Sequence, residues 1–292
     1  MKKLLAMLAV AFGAATIPAL ANANTGLTLD KFPTEKANDL TALQSGAKTF
    51  VNYCLTCHSA SAVRYNRMTE LGLTEEQIKA NLMFATDKIG SQMTVAMPPA
   101  ASKGYFGVVP PDLSLTARAR ASADGSGQDW IYTYLRSFYR DNSRPTGWNN
   151  IVFPNVGMPH VLWNMQGTRV LTVEEVKAVM VAKPDAKPDD KPEEKWVTET
   201  STYDQWGIKT TKTEPLAEAH GHPSVKYTWA DKDPERSKAY DDEVANLVAF
   251  LGWAADPTKT KRQRLGVIVL IFLAGFTVLA WGLNRSYWKD IK

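Results

Sequence analysis

Cysteine and histidine are scarce in this chain: 292 residues hold two cysteines and four histidines. A zinc site made of cysteines alone is therefore excluded, because a closed tetrahedral site needs four ligands. Internal repeats are absent and no region is rich in strand-like alternation, so the sequence reads as a mainly α fold with long loops. An excess of charge is also missing. Residues 1–23 and 285–292 account for the formal net charge of +4, and residues 24–258 carry 25 bases against 29 acids. A mildly acidic body argues against nucleic acid and leaves room for a basic protein partner. With 45% hydrophobic and 22% charged residues, the composition is that of an ordinary globular protein and names no function by itself.

The two ends are more informative. Lys2 and Lys3 precede an apolar stretch from Leu4 to Ala15, and Ala19-Leu20-Ala21 and Ala21-Asn22-Ala23 are small-x-small cleavage patterns. Residues 1–23 read as a secretory signal peptide cut after Ala23, since the apolar stretch is shorter than the roughly 20 residues a membrane span needs. At the other end, Leu265 to Leu283 is a run of 19 residues without a charge, flanked by Lys261, Arg262 and Arg264 before it and Arg285 after it. This run is expected to be a transmembrane helix, with Trp281, Tyr287 and Trp288 as interfacial anchors. A helix buried in a soluble core would rarely be apolar on every face. Residues 259–264 form a basic juxtamembrane segment and 284–292 a cytoplasmic tail. The bases before the span outnumber those after it, which on the positive-inside rule favours a cytoplasmic body; the signal peptide overrides that count, because long domains cross largely regardless of charge. The expected location is the bacterial cytoplasmic membrane, single-pass, with the body on the periplasmic side.

Between these ends, Leu40, Leu43, Ala47, Phe50, Val51 and Cys54 fall on one helical face, so an amphipathic helix runs into the first cysteine. Val244, Leu247, Val248 and Leu251 mark a second amphipathic helix, which leads through Trp253-Ala254-Ala255-Asp256-Pro257 to the span. From about 183 to 240 the composition shifts. Lys183-Pro184, Lys187-Pro188 and Lys191-Pro192 recur every four residues amid acids, the pattern of a charged, Pro-rich insertion that is exposed or poorly ordered. Trp196, Trp206 and Trp229 indicate that part of it still packs on something.

The chemistry concentrates in Cys54-Leu55-Thr56-Cys57-His58. Two thiols three positions apart can each add across one haem vinyl group, and the histidine that follows is then held beneath the iron as its proximal ligand. A thioredoxin-like motif would need its surrounding fold, and a structural disulfide would have no use for His58. A mixed zinc site would have to recruit His160, His220 or His222. An exported chain with this motif and no other cysteine is expected to carry one covalently bound haem c. Methionine is the usual distal ligand in electron-transfer cytochromes, because its thioether favours the ferrous state. Met68, Met83, Met93, Met97, Met158, Met165 and Met180 follow the motif, most of them better explained as core filler. Met158 lies in Phe153-Pro154-Asn155-Val156-Gly157-Met158-Pro159, and Met97 in the locally similar Ala96-Met97-Pro98-Pro99, so pattern alone leaves the two open. His160 is a weaker candidate.

Pro110-Pro111-Asp112-Leu113-Ser114, followed by Arg118-Ala119-Arg120, resembles the signature of the cytochrome c1 family, the haem subunit of ubiquinol:cytochrome c oxidoreductase, also called the cytochrome bc complex or complex III. The resemblance extends to Cys54 to Ser59, to the methionine loop and to Trp253 to Pro257 before a single C-terminal span, in the right order from roughly Leu40 to Arg285. It implies a cytochrome c-like haem domain over residues 24–258. It also implies Met158 rather than Met97 as the second iron ligand beside His58, since the family's methionine lies downstream of the PPDLS segment. By the same analogy Arg120 bonds a haem propionate, and Pro110 and Pro111 line the haem crevice. Independently of the resemblance, a buried propionate needs a cation or several donors.

The function implied is that of a one-electron carrier of the respiratory chain, an electron-transfer subunit active as part of its complex. It receives electrons from a Rieske iron-sulfur protein, passes them to cytochrome c, and is anchored beside a cytochrome b subunit. The stretch from about Lys183 to Tyr240 is longer than the family pattern leads one to expect, and His220-Gly221-His222 within it reads as an exposed loop rather than a metal site. Two rivals differ in what they require. A membrane-anchored monohaem subunit of a terminal oxidase or dehydrogenase has no reason to carry PPDLS and RAR together, and a haem sensor or peroxidase needs an open sixth position.

Overall fold

The computed structural model describes residues 27–95, 97–181, 193–216 and 221–290. The expected signal peptide lies outside the described residues, as do the Lys-Pro repeats and His220. The first helix, α1 (Leu40–Thr49), starts on Asp39, whose carboxylate accepts from the Thr41 N–H at 2.9 Å. It buries Ala42, Leu43, Gly46 and Ala47. At Phe50–Cys54 the helix widens into a π turn, with the Leu55 N–H bonded to the Phe50 carbonyl at 2.9 Å. The helix thus does run into the first cysteine, and the wider turn re-aims its last residues, as such bulges do at functional sites.

Strand β1 (Ala60–Arg64) pairs with the two-residue β2 (Gln92–Met93). Helix α2 (Glu75–Asn81) lies between them in sequence and α3 (Pro99–Phe106) follows. A capping box of Ser126 and Asp129 opens α4 (Gly127–Arg136). Next comes a short antiparallel pair, β3 (Phe138–Arg140) and β4 (Trp148–Asn150).

The core is built on α5 (Pro234–Ala255), where Val244, Leu247, Val248 and Leu251 are buried as their spacing predicts. Phe250 of this helix meets Phe50 with ring centroids 5.5 Å apart. Helix α1 crosses α5 so closely that any side chain at Gly46 would overlap the backbone carbonyl of Asn246. Around that crossing the polar edge is satisfied: Glu243 accepts from Ser45 at 3.0 Å, from Thr49, and from Asn246 at 3.1 Å. Arg136 of α4 forks onto Asp241 with two bonds of 2.7 Å and also reaches Asp30 at 2.7 Å, tying the N-terminal segment and α4 to α5.

The last helix, α6 (Lys259–Tyr287), buries none of its residues and contains the whole uncharged run. At 1.5 Å per residue that run alone is about 28 Å long, close to the hydrocarbon thickness of a bilayer. Helix α6 is a candidate membrane anchor.

Strands are where the molecule departs from expectation. β5 (Arg169–Val181), β6 (Glu193–Tyr203), β7 (Lys209–Pro215) and β8 (Ser224–Asp231) form one antiparallel sheet in the order β7-β6-β5-β8. The fold is therefore only in part the mainly α one expected. Most of the described length of the insertion is paired strand, and much of it is exposed as expected, β7 along its whole length. Alternation is plain on β8, where Val225, Tyr227 and Trp229 are half-buried and Ser224, Lys226, Thr228 and Ala230 are exposed. The sheet is rooted by Arg169, which bonds Asp231 at 2.6 Å and the Arg136 carbonyl at 2.9 Å while lying over the Trp229 ring at 4.5 Å. Of the three tryptophans, Trp196 and Trp229 are half-buried and Trp206 is exposed.

Candidate haem-binding site

The motif Cys54 to His58 caps the π turn. The Cys54 carbonyl accepts from the N–H groups of both Cys57 and His58, at 3.0 and 2.8 Å, so the two thiols and the imidazole are set by one tight turn. Both cysteines are free thiols, Cys54 buried and Cys57 half-buried. Burial, with a smaller contribution from Cys57, pushes the Cys54 thiol up to about 12, and burial also raises Cys57. This is opposite to the lowered pKa of a thiol-disulfide redox motif.

His58 is buried, and its Nδ1 lies 2.7 Å from the Pro111 carbonyl oxygen. A carbonyl can only accept, so Nδ1 carries the proton and Nε2 keeps its lone pair for a metal. Burial lowers the pKa of His58 against the opposing pull of the Pro111 bond and Asp112, which favours the neutral ring that ligation requires.

The segment that supplies Pro111 is itself clamped onto the strand after the motif. The Leu113 N–H donates to the Ser59 carbonyl at 2.7 Å, and the Ala62 N–H donates to Ser114 Oγ at 2.9 Å. Asp112 receives the Ser61 N–H at 2.9 Å, the Ser61 hydroxyl at 2.6 Å and the Ser114 N–H at 2.8 Å. Burial opposes ionisation of Asp112, but these bonds outweigh it and hold the carboxyl below its ordinary value. Pro110 is half-buried and Pro111 exposed.

Met158 is half-buried against the core, and the Tyr134 phenol donates to its sulfur at 3.4 Å. The methionine loop is fixed by two buried asparagines at the end of β4. Asn150 Oδ1 accepts from the Val152 and Phe153 N–H groups at 2.9 and 3.1 Å, and Asn149 Oδ1 from the Asn155 N–H at 2.8 Å. Asn155 takes a left-handed φ of 62°, a conformation asparagine tolerates better than most residues. Gly157 backs onto the Phe106 carbonyl and the Val108 side chain, so the loop before Met158 meets the segment that leads to Pro110. Arg120 is exposed, 4.4 Å from its Cζ to the Trp130 ring centroid; Trp130 in turn stacks on Tyr134 at 4.9 Å. Among the described residues Arg120 makes no ion pair. Burial raises the pKa of Tyr134, which the charge of Arg120 partly offsets.

The other candidates are occupied differently. Met68 and Met93 are fully buried in the core, Met180 is exposed on β5, and Met97 is half-buried just before α3. His160 stacks on Phe138 at 4.9 Å and 3°, with Nε2 3.0 Å from Gln166 Oε1; burial above all pushes its pKa down to about 3. It is a core histidine. His222 is exposed.

A haem c fits this donor set: two free thiols at the attachment spacing, an imidazole whose free nitrogen is Nε2, and a thioether on a braced loop. Tyr105, Val108, Val109 and Leu115, flanking Pro110 and Pro111, are exposed apolar residues of the kind a bound apolar group covers, as is Phe153 of the methionine loop. The sequence profile of the cytochrome C1 family matches residues 32–291. The chain belongs to the cytochrome c1 family. Membership implies a covalently bound haem c. Among relatives, the ammonia monooxygenase gamma subunit of Nitrosomonas europaea is 38% identical over 263 residues, covering 90% of this chain and 88% of that one. The cytochrome c1 of Allochromatium vinosum is 38% identical over 255 residues, 87% of this chain and 86% of the relative. The cytochrome c1 of Rhodospirillum rubrum is 28% identical over 272 residues, 87% and 83%.

Three residues at the site, Tyr134, Asn149 and Asn150, were not singled out by the sequence. Trp130 and Tyr134, four apart, were a usable signal for an aromatic face of α4, with Phe138 just past its end; nothing local marked the two asparagines.

Proposed function

We propose that this chain is the one-haem electron carrier of a ubiquinol:cytochrome c oxidoreductase. It takes single electrons from a Rieske iron-sulfur protein and passes them to cytochrome c, with a cytochrome b subunit beside its span. The observation that carries the reading is the bond between His58 Nδ1 and the Pro111 carbonyl, which joins the attachment motif to the PPDLS segment and leaves Nε2 for iron. When bound, the haem supplies the one-electron couple. The chain's own residues do the rest. Cys54 and Cys57 would hold the group covalently, His58 and Met158 would offer nitrogen and sulfur donors to its iron, and Arg120 would neutralise a propionate. Pro110 and Pro111 would shape the crevice wall, and the Pro111 carbonyl holds the His58 tautomer.

On this reading residues 1–23 are a signal peptide, 24–258 the periplasmic haem domain, 259–264 the basic segment at the membrane surface, 265–283 the span and 284–292 a cytoplasmic tail. The host membrane is the bacterial cytoplasmic membrane. The testing experiment is purification from that membrane in mild detergent, with subunit identification and a haem stain after denaturing electrophoresis. A cytochrome b and a Rieske protein in the same complex, with haem retained on this chain, is the expected result. Isolation with oxidase or dehydrogenase subunits instead would overturn it.

A further inference from the structure

We propose that Tyr134 is a positioning residue for the distal ligand: its phenol keeps a hydrogen bond to the Met158 thioether when that sulfur binds iron, orienting the ligand and favouring the ferrous state. The proposal rests on Met158 being an axial ligand.

The donor and acceptor are already paired, with the Tyr134 oxygen 3.4 Å from the Met158 sulfur. A thioether has two lone pairs, so one can face a metal while the other accepts from a phenol, and sulfur is a weak acceptor that needs a well-placed donor. The phenol is well placed because its ring is gripped on both sides. Trp130, four residues earlier on α4, stacks on it at 4.9 Å and 10°, and Phe138, four residues later, meets it edge-on at 5.2 Å and 69°.

The backbone beneath the ring is tied to the methionine loop as well. Asn150, with no exposed surface, donates through Nδ2 to the Tyr134 carbonyl at 2.7 Å while its Oδ1 accepts from Val152 and Phe153. One side-chain amide therefore fixes both the donor's turn and the start of the acceptor's loop. The phenol dipole points its positive end at the sulfur and draws electron density from it. That penalises the ferric form, which carries the extra positive charge, more than the ferrous form.

The test uses the haem-loaded protein and the variant Tyr134→Phe, which keeps the ring and both aromatic contacts and removes only the hydroxyl. Covalent haem and methionine ligation should survive, the midpoint potential should move negative, and exogenous imidazole should bind the ferric form roughly three- to tenfold more weakly, because a sulfur relieved of the phenol is the stronger donor to ferric iron; the change is the equivalent of one neutral hydrogen bond. Tyr240→Phe is the control, since it deletes a buried phenol bonded to the Leu135 carbonyl at 2.6 Å without touching Met158; it should leave potential and imidazole affinity unchanged. Unchanged values in Tyr134→Phe, or an equal shift in Tyr240→Phe, would overturn the proposal. Met158→Leu separates the two failures. If it abolishes the far-red methionine-to-iron absorption while Tyr134→Phe does nothing, the ligand assignment stands and this inference falls; if it leaves that absorption intact, both fall.

Discussion

The imidazole of His58 and the carbonyl of Pro111 lie 2.7 Å apart although 53 positions separate them in the chain. Because the acceptor is a main-chain oxygen, no substitution at position 111 simply deletes it. What holds that oxygen in place is the side chain next to it, and this makes Asp112 the practical handle on the proximal side.

Asp112→Ala removes the acceptor of the Ser61 N–H, the Ser61 hydroxyl and the Ser114 N–H. Hydrogen bonds to a charged group each contribute about 1.5–3 kcal/mol, and partial exposure discounts this, so a loss of about 2 kcal/mol of folding stability is expected. Covalent haem should remain, with a shifted potential as the His58 partner loosens. Denaturant melts and a redox titration check it, and wild-type values in both would show that the clamp is idle.

Met158→Leu keeps the volume of the side chain and removes its sulfur. Haem should stay attached through Cys54 and Cys57, while the potential falls and quinol oxidation collapses in an assembled complex. Ferrous haem should then take up carbon monoxide, which the wild type should resist. Met97→Leu should change little; the reverse pattern would move the distal ligand to the loop before α3.

His160 gives a pH signature. Its folded pKa is about 3 against an ordinary 6.5. The folded state thus holds its ring neutral where the unfolded chain would protonate it. Its contribution is fully present above about pH 6.5 and is lost progressively as pH falls toward 3. His160→Phe should flatten that part of the stability–pH curve and leave the haem spectrum untouched; an altered spectrum would reopen His160 as a ligand.

Gly46→Ala should cost about 3 kcal/mol, because the added methyl meets the Asn246 backbone rather than a movable side chain. Chemical denaturation of the haem-loaded protein measures it. A near-neutral result would mean that α1 and α5 can slide apart without loss.

Topology is tested by adding protease to intact spheroplasts, which should digest the haem domain and spare the span. Full protection would invert the orientation.

Much of this molecule could be read in advance because the signals were local and dense. The helix entering Cys54, the buried stripe of Val244, Leu247, Val248 and Leu251, and the uncharged run inside α6 all rest on periodicity over one element. The sheet was harder. On β5 and β6 the apolar alternation is diluted by threonines such as Thr172 and Thr202, and by the Lys177 pair with Glu199 at 2.9 Å, since much of the sheet faces solvent. The adjoining lysine–proline repeats then dominated the composition. Asn149 and Asn150 could not be read at all, because an amide that braces a loop looks like any surface asparagine until its partners are known.

The joint between α5 and α6 sets a mechanical condition on the whole protein. Only Asp256, Pro257 and Thr258 separate the helices, and Asp256 is locked by the Gly252 carbonyl at 3.1 Å and by Arg262 at 2.8 Å. With α6 as its membrane anchor, as proposed, a globular head on so short a joint would have little room to swing over the bilayer. Its standoff would then be built in, and travel would fall to whatever brings electrons to it and carries them away.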